Sequence, residues 1–426
     1  MEKLVIEGGR PLSGTVRIQG AKNAALPILA ASLLVDGAAV IRNVPDLLDI
    51  HTMVSILREL GCRADFEKEI VKVETSSLDS CEIPEHLMNR MRSSIFLMGP
   101  LLARFGEVHL YPPGGCAIGE RKIDLHLAGL KALGAEIEEN GSKISCRAAK
   151  LTGADIALDY PSVGATENLM MAAVLAQGRT TITGAAREPE IQDLQNFLNA
   201  MGARIIGAGT DTITIEGVRK LVPGTYTIIP DRIVTGTFLM AAAATRGNIR
   251  LEGAMPGHLT SAVHVLRRAG IQIAVDHDII EVSSPSRPKR VERIVTAPHP
   301  SFPTDLQAQL MVLLSLADGM SIVKETVFEG RFKHVDELCR MGADIRVDAN
   351  CAFIRGVPRL YGATVEATDL RAGAALVIAG LAAQGTTVVE QIHHIDRGYD
   401  RIERMFSALG AKIERVGTAV QSTATS

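Results

Sequence analysis

Six stretches of the chain share one pattern of hydrophobic and polar positions. In each, apolar residues at helical spacing end in a short Leu-Gly-Ala-like sequence, and an alternating apolar-polar stretch follows. The copies end at positions 57–62, 130–135, 198–203, 266–271, 338–343 and 406–411. Apolar residues at helical spacing bury one face of a helix, and glycine accepts the left-handed conformation that ends it. The alternation after it, as in 137–144 and 345–354, predicts a half-buried strand.

Each copy also has an upstream half. A helix of small apolar residues, a glycine and a short β-branched strand occur together, for example at 169–177, Gly178 and 180–183, and at 374–384, Gly385 and 386–390. The complete unit spans roughly 70 residues, which is too long for a common solenoid repeat. Because 426 residues exceed the usual size of one hydrophobic core, we predict an α/β (α+β) protein of two similar domains with three units each.

Composition narrows the function classes. The chain is 46% hydrophobic, carries a net charge of -3 and has its basic residues scattered, which argues against a nucleic-acid-binding surface. The apolar runs are broken well before the about 20 residues that a membrane span needs. The six cysteines show no zinc-type spacing, so we expect no metal site, no disulfides and a cytoplasmic location.

A lysine and an asparagine, Lys22 and Asn23, stand directly before a predicted helix of small apolar residues. Backbone N–H groups at a helix N-terminus together with a lysine form an anion site. The alternative is that Asn23 caps the helix and Lys22 is solvated.

A cysteine, Cys116, lies in a loop rich in proline and glycine and is followed by Arg121. Such a loop is exposed, and the arginine could stabilise a thiolate or an anionic partner. The alternative is an incidental loop cysteine.

Further charged residues stand at the starts of later helices. Asp305 precedes an apolar helix, where it could cap that helix or act as a general base toward a substrate hydroxyl. Arg331, Arg371 and Arg397 recur at loop positions of their units. Because arginine binds carboxylates and phosphates bidentately, these residues and Lys22 suit a small, highly charged anion, whereas surface salt bridges are the alternative.

As an ordered set, these segments resemble the UDP-N-acetylglucosamine 1-carboxyvinyltransferase family of enolpyruvyl transferases. The resemblance covers residues 1 to about 416, and the segments that carry it are 20–27, 91–94, 113–125, 161–166, 186–190, 230–232, 296–309, 326–328, 367–372 and 394–399. It implies the enolpyruvyl transferase fold, an inside-out α/β barrel of βαβαββ-type units with buried helices. The implied domains are 21–229 and, discontinuously, 1–20 with 230–426, with the active site in the cleft between them.

The resemblance also implies roles for individual residues. Phosphoenolpyruvate would be bound by Lys22, Asn23, Arg121, Arg331, Arg371 and Arg397. UDP-N-acetylglucosamine would be bound by Arg92, Arg121, Lys122, Ile123, Asp124, Leu125, Tyr160, Pro161, Ser162, Val163, Gly164, Asp305 and Val327. The catalytic residues would be Cys116, Asp305, Lys22, Arg397 and Asp369.

The implied reaction is addition of the sugar 3-hydroxyl to the enol carbon and then elimination of phosphate, the first committed step of peptidoglycan synthesis. Cys116 would protonate the methylene carbon and could also form a covalent adduct, while Asp305 would take the hydroxyl proton. No metal or organic cofactor is implied. We expect 112–120 to form a lid that orders on ligand binding, and Cys116 to be alkylated by fosfomycin.

Two other functions fit the same pattern. The shikimate-pathway enolpyruvyl transferases share the chemistry, but the Gly114-Gly115-Cys116 loop and the segment 162–164 favour the UDP-sugar branch. A non-catalytic binding or regulatory relative is the second alternative. The complete set of Lys22, Cys116, Asp305 and Arg397 argues against it.

Overall fold

A computed structural model describes residues 2–111, 122–141 and 143–417. The α-helices in these ranges are α1 Lys22–Ala31, α2 Leu48–Glu59, α3 Glu85–Met88, α4 Met98–Phe105, α5 Asp124–Ala132, α6 Val163–Ala173, α7 Pro189–Ala200, α8 Arg232–Ala244, α9 Thr260–Arg268, α10 Gln307–Ser315, α11 Val335–Arg340, α12 Leu370–Ala382 and α13 Ile402–Ala408. Short 3₁₀ helices cover Ser32–Leu34, Arg92–Leu97, Pro256–Leu259, Thr304–Leu306 and Ile392–Arg397.

The strands in these ranges are short. They are β1 Lys3–Glu7, β2 Ser13–Arg17, β3 Ala38–Arg42, β4 Arg63–Glu67, β5 Ile70–Glu74, β6 Glu107–Leu110, β7 Glu136–Asn140, β8 Lys143–Arg147, β9 Asp155–Ala157, β10 Arg179–Thr183, β11 Arg204–Ile206, β12 Thr212–Glu216, β13 Gly224–Thr227, β14 Asn248–Glu252, β15 Gln272–Asp276, β16 Ile279–Ser283, β17 Arg293–Val295, β18 Met320–Lys324, β19 Asp344–Asp348, β20 Cys351–Arg355, β21 Thr364–Glu366, β22 Thr386–Glu390 and β23 Lys412–Val416.

The repeated unit of the sequence is a βαβαββ unit. In β9-α6-β10-α7-β11-β12, the first two strands pair in parallel and the last two form an antiparallel hairpin, giving the sheet order β11-β12-β10-β9. The described residues form six such sheets, one per unit. In the three-stranded sheet β6-β8-β7, an isolated bridge between Glu82 and His109 stands in place of the fourth strand. The predicted α/β architecture of six repeated units is therefore confirmed.

The prediction of a single strand after each helix was wrong in detail. The stretch 137–144 belongs to the hairpin β7-β8, and 345–354 belongs to the hairpin β19-β20. Alternation continues on both sides of the turn, so the pattern alone does not reveal it. Gly141 (φ 63°) and Ala349 (φ 49°) adopt the left-handed conformation that reverses the chain.

The helices that precede the second strand of each unit are buried together, and the sheets cover them. Every residue of α8 is buried, and α8, α10 and α12 pack against one another. Such close packing requires small residues, because a Cβ atom at Gly236 would lie 2.5 Å from Leu306 Cδ1. A tilted aromatic pair, Phe238 and Phe406, fills the space beside α8.

Two separate hydrophobic clusters form the interior. One contains buried residues between Ala25 and Ile228, and the other combines residues 4–18 with residues 233–413. The N-terminal strands accordingly join sheets of the second cluster. Strand β1 pairs with β22 and β23, and β2 pairs with β14. Where the chain passes between the clusters, Gly20 bridges Pro230. These features support the domain boundaries near residues 20 and 230, which stay our prediction.

None of the helices in the described part of the chain has the length and apolar character that crossing a bilayer requires.

Candidate active site

A cleft of about 710 Å³ lies where helix starts from both hydrophobic clusters meet. Of the residues that the sequence predicts for the site, it is lined by Lys22, Asn23, Arg92, Lys122, Asp124, Leu125, Tyr160, Pro161, Ser162, Val163, Gly164, Asp305, Val327, Arg331, Asp369, Arg371 and Arg397. A volume of this order suits a substrate of nucleotide size. The structure thus brings together residues that lie hundreds of positions apart in the chain.

Asp49 holds two cations at one end of the cleft. Its Oδ2 atom accepts a hydrogen bond from Lys22 Nζ at 3.1 Å, and its Oδ1 atom accepts one from Arg397 Nε at 2.9 Å. Asp49 is 3% exposed and Lys22 8% exposed, so both charges are largely removed from water. Burial raises the pKa of the Asp49 carboxyl, but Lys22 and Arg397 outweigh it and hold that pKa below its ordinary value.

The charged form of Lys22, in contrast, is destabilised by its surroundings. Burial, with the charges of Arg371 and Arg397, lowers the pKa of Lys22, although Asp49 acts against this shift. An anionic ligand beside Lys22 would relieve the repulsion between these cations. The position is fixed by the start of α1, where the Lys22 backbone N–H donates to Asp231 Oδ2 at 3.3 Å.

Asp305 holds the other two arginines. Arg331 donates to its Oδ1 atom at 2.7 Å, and Arg371 donates to its Oδ2 atom at 2.8 Å. Burial raises the pKa of the Asp305 carboxyl, but Arg371 and Arg331 outweigh this effect and hold it well below its ordinary value. In this arrangement Asp305 is an ionised but weak base.

Aromatic rings fix the direction of these arginines. The guanidinium carbon of Arg331 lies 5.4 Å from the centre of the Phe328 ring, and that of Arg371 lies 6.0 Å from the Tyr399 ring. The Tyr399 hydroxyl in turn hydrogen-bonds Thr237 Oγ1 at 2.8 Å inside the second hydrophobic cluster. The guanidinium of Arg371 is therefore preorganised before any ligand arrives.

Asp369 and Asp231 are the N-caps of two buried helices at the cleft. Asp369 Oδ1 accepts from the backbone N–H of Arg371 at 2.9 Å and of Ala372 at 3.1 Å. Asp231 Oδ1 accepts from the first turn of α8 in the same way. A capping carboxylate is stabilised by the helix dipole, and it leaves its second oxygen for other contacts.

A second wall of the cleft is formed by the start of α6. Ser162 is the N-cap, and its hydroxyl accepts from the backbone N–H of Ala165 at 3.3 Å. Val163 and Gly164, the first two residues of the helix, also line the cleft. Backbone N–H groups in a first helical turn have no partner within the helix, so this wall offers donors to an anion.

Carboxyl groups gather on a third side. Arg232 Nε donates to Glu190 Oε1 at 2.9 Å, and both side chains are buried. Glu188 Oε1 accepts the backbone N–H of His299 at 3.2 Å. Glu167 is fully buried, and neither of its oxygens has a hydrogen-bond partner among the described residues. Burial, followed by Glu190 and Glu188, raises the pKa of Glu167 well above its ordinary value.

Two expectations need correction. The predicted contact of Ile123 with the UDP-sugar is not one of them and stays a prediction; the Ile123 side chain packs against the first hydrophobic cluster, while Lys122 and Asp124 line the cleft. Asp305 does not cap α10, because Leu306 stands at the cap position and the Asp305 carboxylate binds two arginines instead. Asn23 is not a cap either, because α1 already begins at Lys22 and Ala21 precedes it. The expectations for Cys116, Arg121 and the lid at 112–120 lie outside the described residues.

The residues of the cleft that sequence reasoning did not assign to the site include Asp49, His126, Glu167 and Arg232. Asp49 has a signal in the sequence, because it lies on the apolar stripe of α2 with Met53 and Ile56, where an acidic residue requires a buried partner. For His126 and Arg232, the helical pattern gave no comparable indication.

Comparison with known proteins decides the family. A profile for EPSP synthase (3-phosphoshikimate 1-carboxyvinyltransferase) matches residues 6–406. UDP-N-acetylglucosamine 1-carboxyvinyltransferase 2 of Caldanaerobacter subterraneus subsp. tengcongensis is 54% identical over 98% of this chain and 100% of its own length. The enzyme of that name from Desulfosudis oleivorans is 51% identical over the same shares.

The chain belongs to the UDP-N-acetylglucosamine 1-carboxyvinyltransferase family. Among solved structures, the enolpyruvyl transferase NikO from Streptomyces tendae superimposes with a TM-score of 0.89 at 27% identity, covering 97% of this chain and 99% of its own. EPSP synthase from Acinetobacter baumannii superimposes with a TM-score of 0.76 at 18% identity, over 98% and 100% of the two chains. The enolpyruvyl transferase fold predicted from the sequence is confirmed, and the family's activity makes the chain a transferase.

Proposed function

We propose that this transferase moves the enolpyruvyl group of phosphoenolpyruvate to the 3-hydroxyl of UDP-N-acetylglucosamine, in the cytoplasm, and releases phosphate. The observation that carries the site assignment is the pair of carboxylates, Asp49 and Asp305, that hold four cations in one cleft of a family member. A small trianionic substrate is the ligand that such preorganised cations favour.

Phosphoenolpyruvate is proposed to bind between the two cation pairs. Lys22 and Arg397 would contact one end of it, Arg331 and Arg371 the other, with Asn23 beside Lys22. Arg121 would join them according to the sequence resemblance. The UDP-sugar would bind along the wall of 160–164, opposite Arg92 and the segment 122–125, with Val327 at the sugar.

Asp305 can become an effective base only when its surroundings change. With both arginines bound, its low pKa makes it a poor acceptor of the hydroxyl proton. A phosphate or carboxylate group of phosphoenolpyruvate competes for Arg331 and Arg371, and each bond that it withdraws from Asp305 raises the basicity of the carboxylate. Substrate binding would thus activate the base at the place where the sugar hydroxyl arrives.

The proposed transfer proceeds by addition of the sugar hydroxyl and then elimination of phosphate. The sugar oxygen forms a bond to the enol carbon while Asp305 takes its proton and Cys116 gives a proton to the methylene carbon. The resulting ketal bears phosphate and carboxylate groups that the four cations stabilise. Loss of phosphate, and of one proton from the new methyl group, forms the enolpyruvyl ether.

The test is phosphate release from phosphoenolpyruvate with UDP-N-acetylglucosamine, with shikimate 3-phosphate, or with neither acceptor. Release that requires the UDP-sugar and falls sharply in Cys116→Ser would support both the reaction and the proton donor. Release with shikimate 3-phosphate alone would transfer the assignment to the shikimate branch. Release that is undiminished in Cys116→Ser would keep the reaction and remove Cys116 from it.

A further inference from the structure

His126 on α5 lines the cleft and is only 5% exposed, yet neither the sequence pattern nor the proposed chemistry uses it. Its ring lies against the first turn of α6: a Cβ atom at Gly164 would come within 3.3 Å of His126 Nε2. The Nε2 atom makes no hydrogen bond to any described residue, whereas Nδ1 lies 3.0 Å from Asn168 Nδ2.

Asn168 determines which ring nitrogen carries the proton. Its Oδ1 atom lies 2.8 Å from the backbone N–H of Gly99, which can only donate. Its Nδ2 atom lies 3.0 Å from the carbonyl oxygen of Ile95, which can only accept. The amide orientation is therefore fixed from both ends, and the second hydrogen on Nδ2 is donated to His126 Nδ1. A neutral His126 must then carry its proton on Nε2.

The ring is neutral at ordinary pH. Burial, followed by the charge of Arg92, lowers the pKa of His126 to about 4, although Asp124 on the same helix acts in the opposite direction. Glu167, next to Asn168 on α6, has a raised pKa and therefore adds less negative charge nearby. The result is a neutral N–H donor on a residue that lines the cleft, beside the first turn of α6, and it does not change with pH in the physiological range.

The donors beside it identify the group that it would bind. Val163 and Gly164 present first-turn backbone N–H groups on the same wall, and Arg92 lies close enough to lower the pKa of the imidazole. Backbone N–H donors, an imidazole beside them and a guanidinium that line one cleft match the oxygens of a phosphate group. We propose that His126 Nε2–H donates to the diphosphate of the nucleotide-sugar, and that Asn168 is a positioning residue that holds the required tautomer.

This inference rests on the proposed function, and binding measurements separate the two. In calorimetric titration with UDP-N-acetylglucosamine, His126→Phe keeps a ring but loses the donor, and we expect its dissociation constant to rise about ten-fold or more, since the lost bond is to a charged group. His126→Gln, whose amide nitrogen can occupy the Nε2 position, should recover most of the affinity. His264→Phe, on the exposed side of α9, is the matched control. Thermal unfolding midpoints check that the variants fold.

Asn168→Asp tests the tautomer directly. A carboxylate at 168 accepts a hydrogen bond from Nδ1–H, so the neutral ring then presents a lone pair at Nε2, and only the imidazolium donates there. Affinity in this variant should fall as the pH rises through the raised imidazole pKa, whereas wild type shows no such step. A purely structural role for Asn168 would not create this pH dependence.

The outcomes are distinct. If wild type does not bind UDP-N-acetylglucosamine, the proposed function fails. If wild type binds and His126→Phe binds within about two-fold of it, well below the effect of a lost charge-assisted bond, the proposal for His126 is overturned. If His126→Phe is weak but the affinity of Asn168→Asp varies with pH as wild type does, the positioning role of Asn168 is overturned.

Discussion

Asp49 and Asp305 on the cationic side of the cleft are each paired with two basic side chains. On the carboxyl side, formed by Glu167, Glu188 and Glu190, the one ion pair in the described part of the chain joins Glu190 to Arg232. Both groups of carboxyls are largely buried. On the cationic side the neighbouring charges overcome burial and lower the pKa of both aspartates. On the carboxyl side burial prevails, and the pKa of both Glu167 and Glu188 is raised.

The difference shows how one cleft can attract an anion and still remain folded. Four cations without partners would repel each other and pay a large desolvation cost, so two carboxylates hold them in place. Those carboxylates leave an excess of positive charge for a ligand. On the carboxyl side, the raised pKa values of Glu167 and Glu188 favour the neutral form of these two groups, which reduces the negative charge near the anion site.

The largest effect is expected from removing a cation. Lys22→Met keeps the length of the side chain but leaves the site without its ammonium, and kcat/KM should fall about a thousand-fold, the scale of one preorganised electrostatic contact. Phosphate release under limiting phosphoenolpyruvate measures it. Lys68→Met changes the same residue type where the side chain is 88% exposed, and should leave the rate unchanged. A loss of less than about ten-fold in Lys22→Met would show that the ammonium makes no special contact in the transition state.

A smaller effect is expected from releasing two cations without removing them. Asp49→Asn is isosteric but loses the charge that holds Lys22 and Arg397, so we expect kcat/KM to fall about 100-fold. Most of the loss should come from a higher KM for phosphoenolpyruvate, because the cations remain but are no longer positioned.

Asp46→Asn, at an exposed aspartate paired with His51 near the same helix, is the control for Asp49→Asn. If kcat falls while the KM for phosphoenolpyruvate is unchanged, Asp49 acts in the chemical step, and the comparison of the two sides would need to be revised.

The repeated units and the buried small-residue helices have local signatures, and so do six of the predicted lining residues of the cleft, namely Lys22, Asn23, Asp305, Arg331, Arg371 and Arg397. The other predicted lining residues followed from the family resemblance. Leu-Gly-Ala endings identify helix ends. Lysine, arginine and aspartate at helix starts identify candidate ligand contacts. These signals are short-range, so they do not depend on how distant parts of the chain pack.

Partnerships across the chain could not be predicted. Asp305 looked like a helix cap in sequence, but in the fold Arg331 and Arg371 reach its carboxylate. The Asp49–Arg397 pair joins residues almost 350 positions apart. Likewise, the neutral donor of His126 depends on Asn168, which is itself fixed by Gly99 and Ile95. Such contacts follow from topology rather than from local pattern.

The smallest effect, and the one specific to the carboxyl side, concerns Glu167. Its pKa is raised in the folded chain above the ordinary value of 4.5, so its contribution to stability is complete at low pH. That contribution is lost as the pH rises, because the unfolded chain releases the proton first, which lowers the free energy of the unfolded state relative to the folded one. Glu167→Gln keeps the shape and cannot ionise. Its free energy of unfolding should match wild type at about pH 4, below the ordinary carboxyl pKa of 4.5, and exceed it at about pH 8.

Denaturant unfolding at both pH values measures this difference, with Glu136→Gln on the exposed face of β7 as the control. A parallel decline of wild type and Glu167→Gln between the two pH values would mean that Glu167 is ionised in the folded protein. It would then need a cationic partner, and the carboxyl side of the cleft would follow the same rule as the side of Asp49 and Asp305.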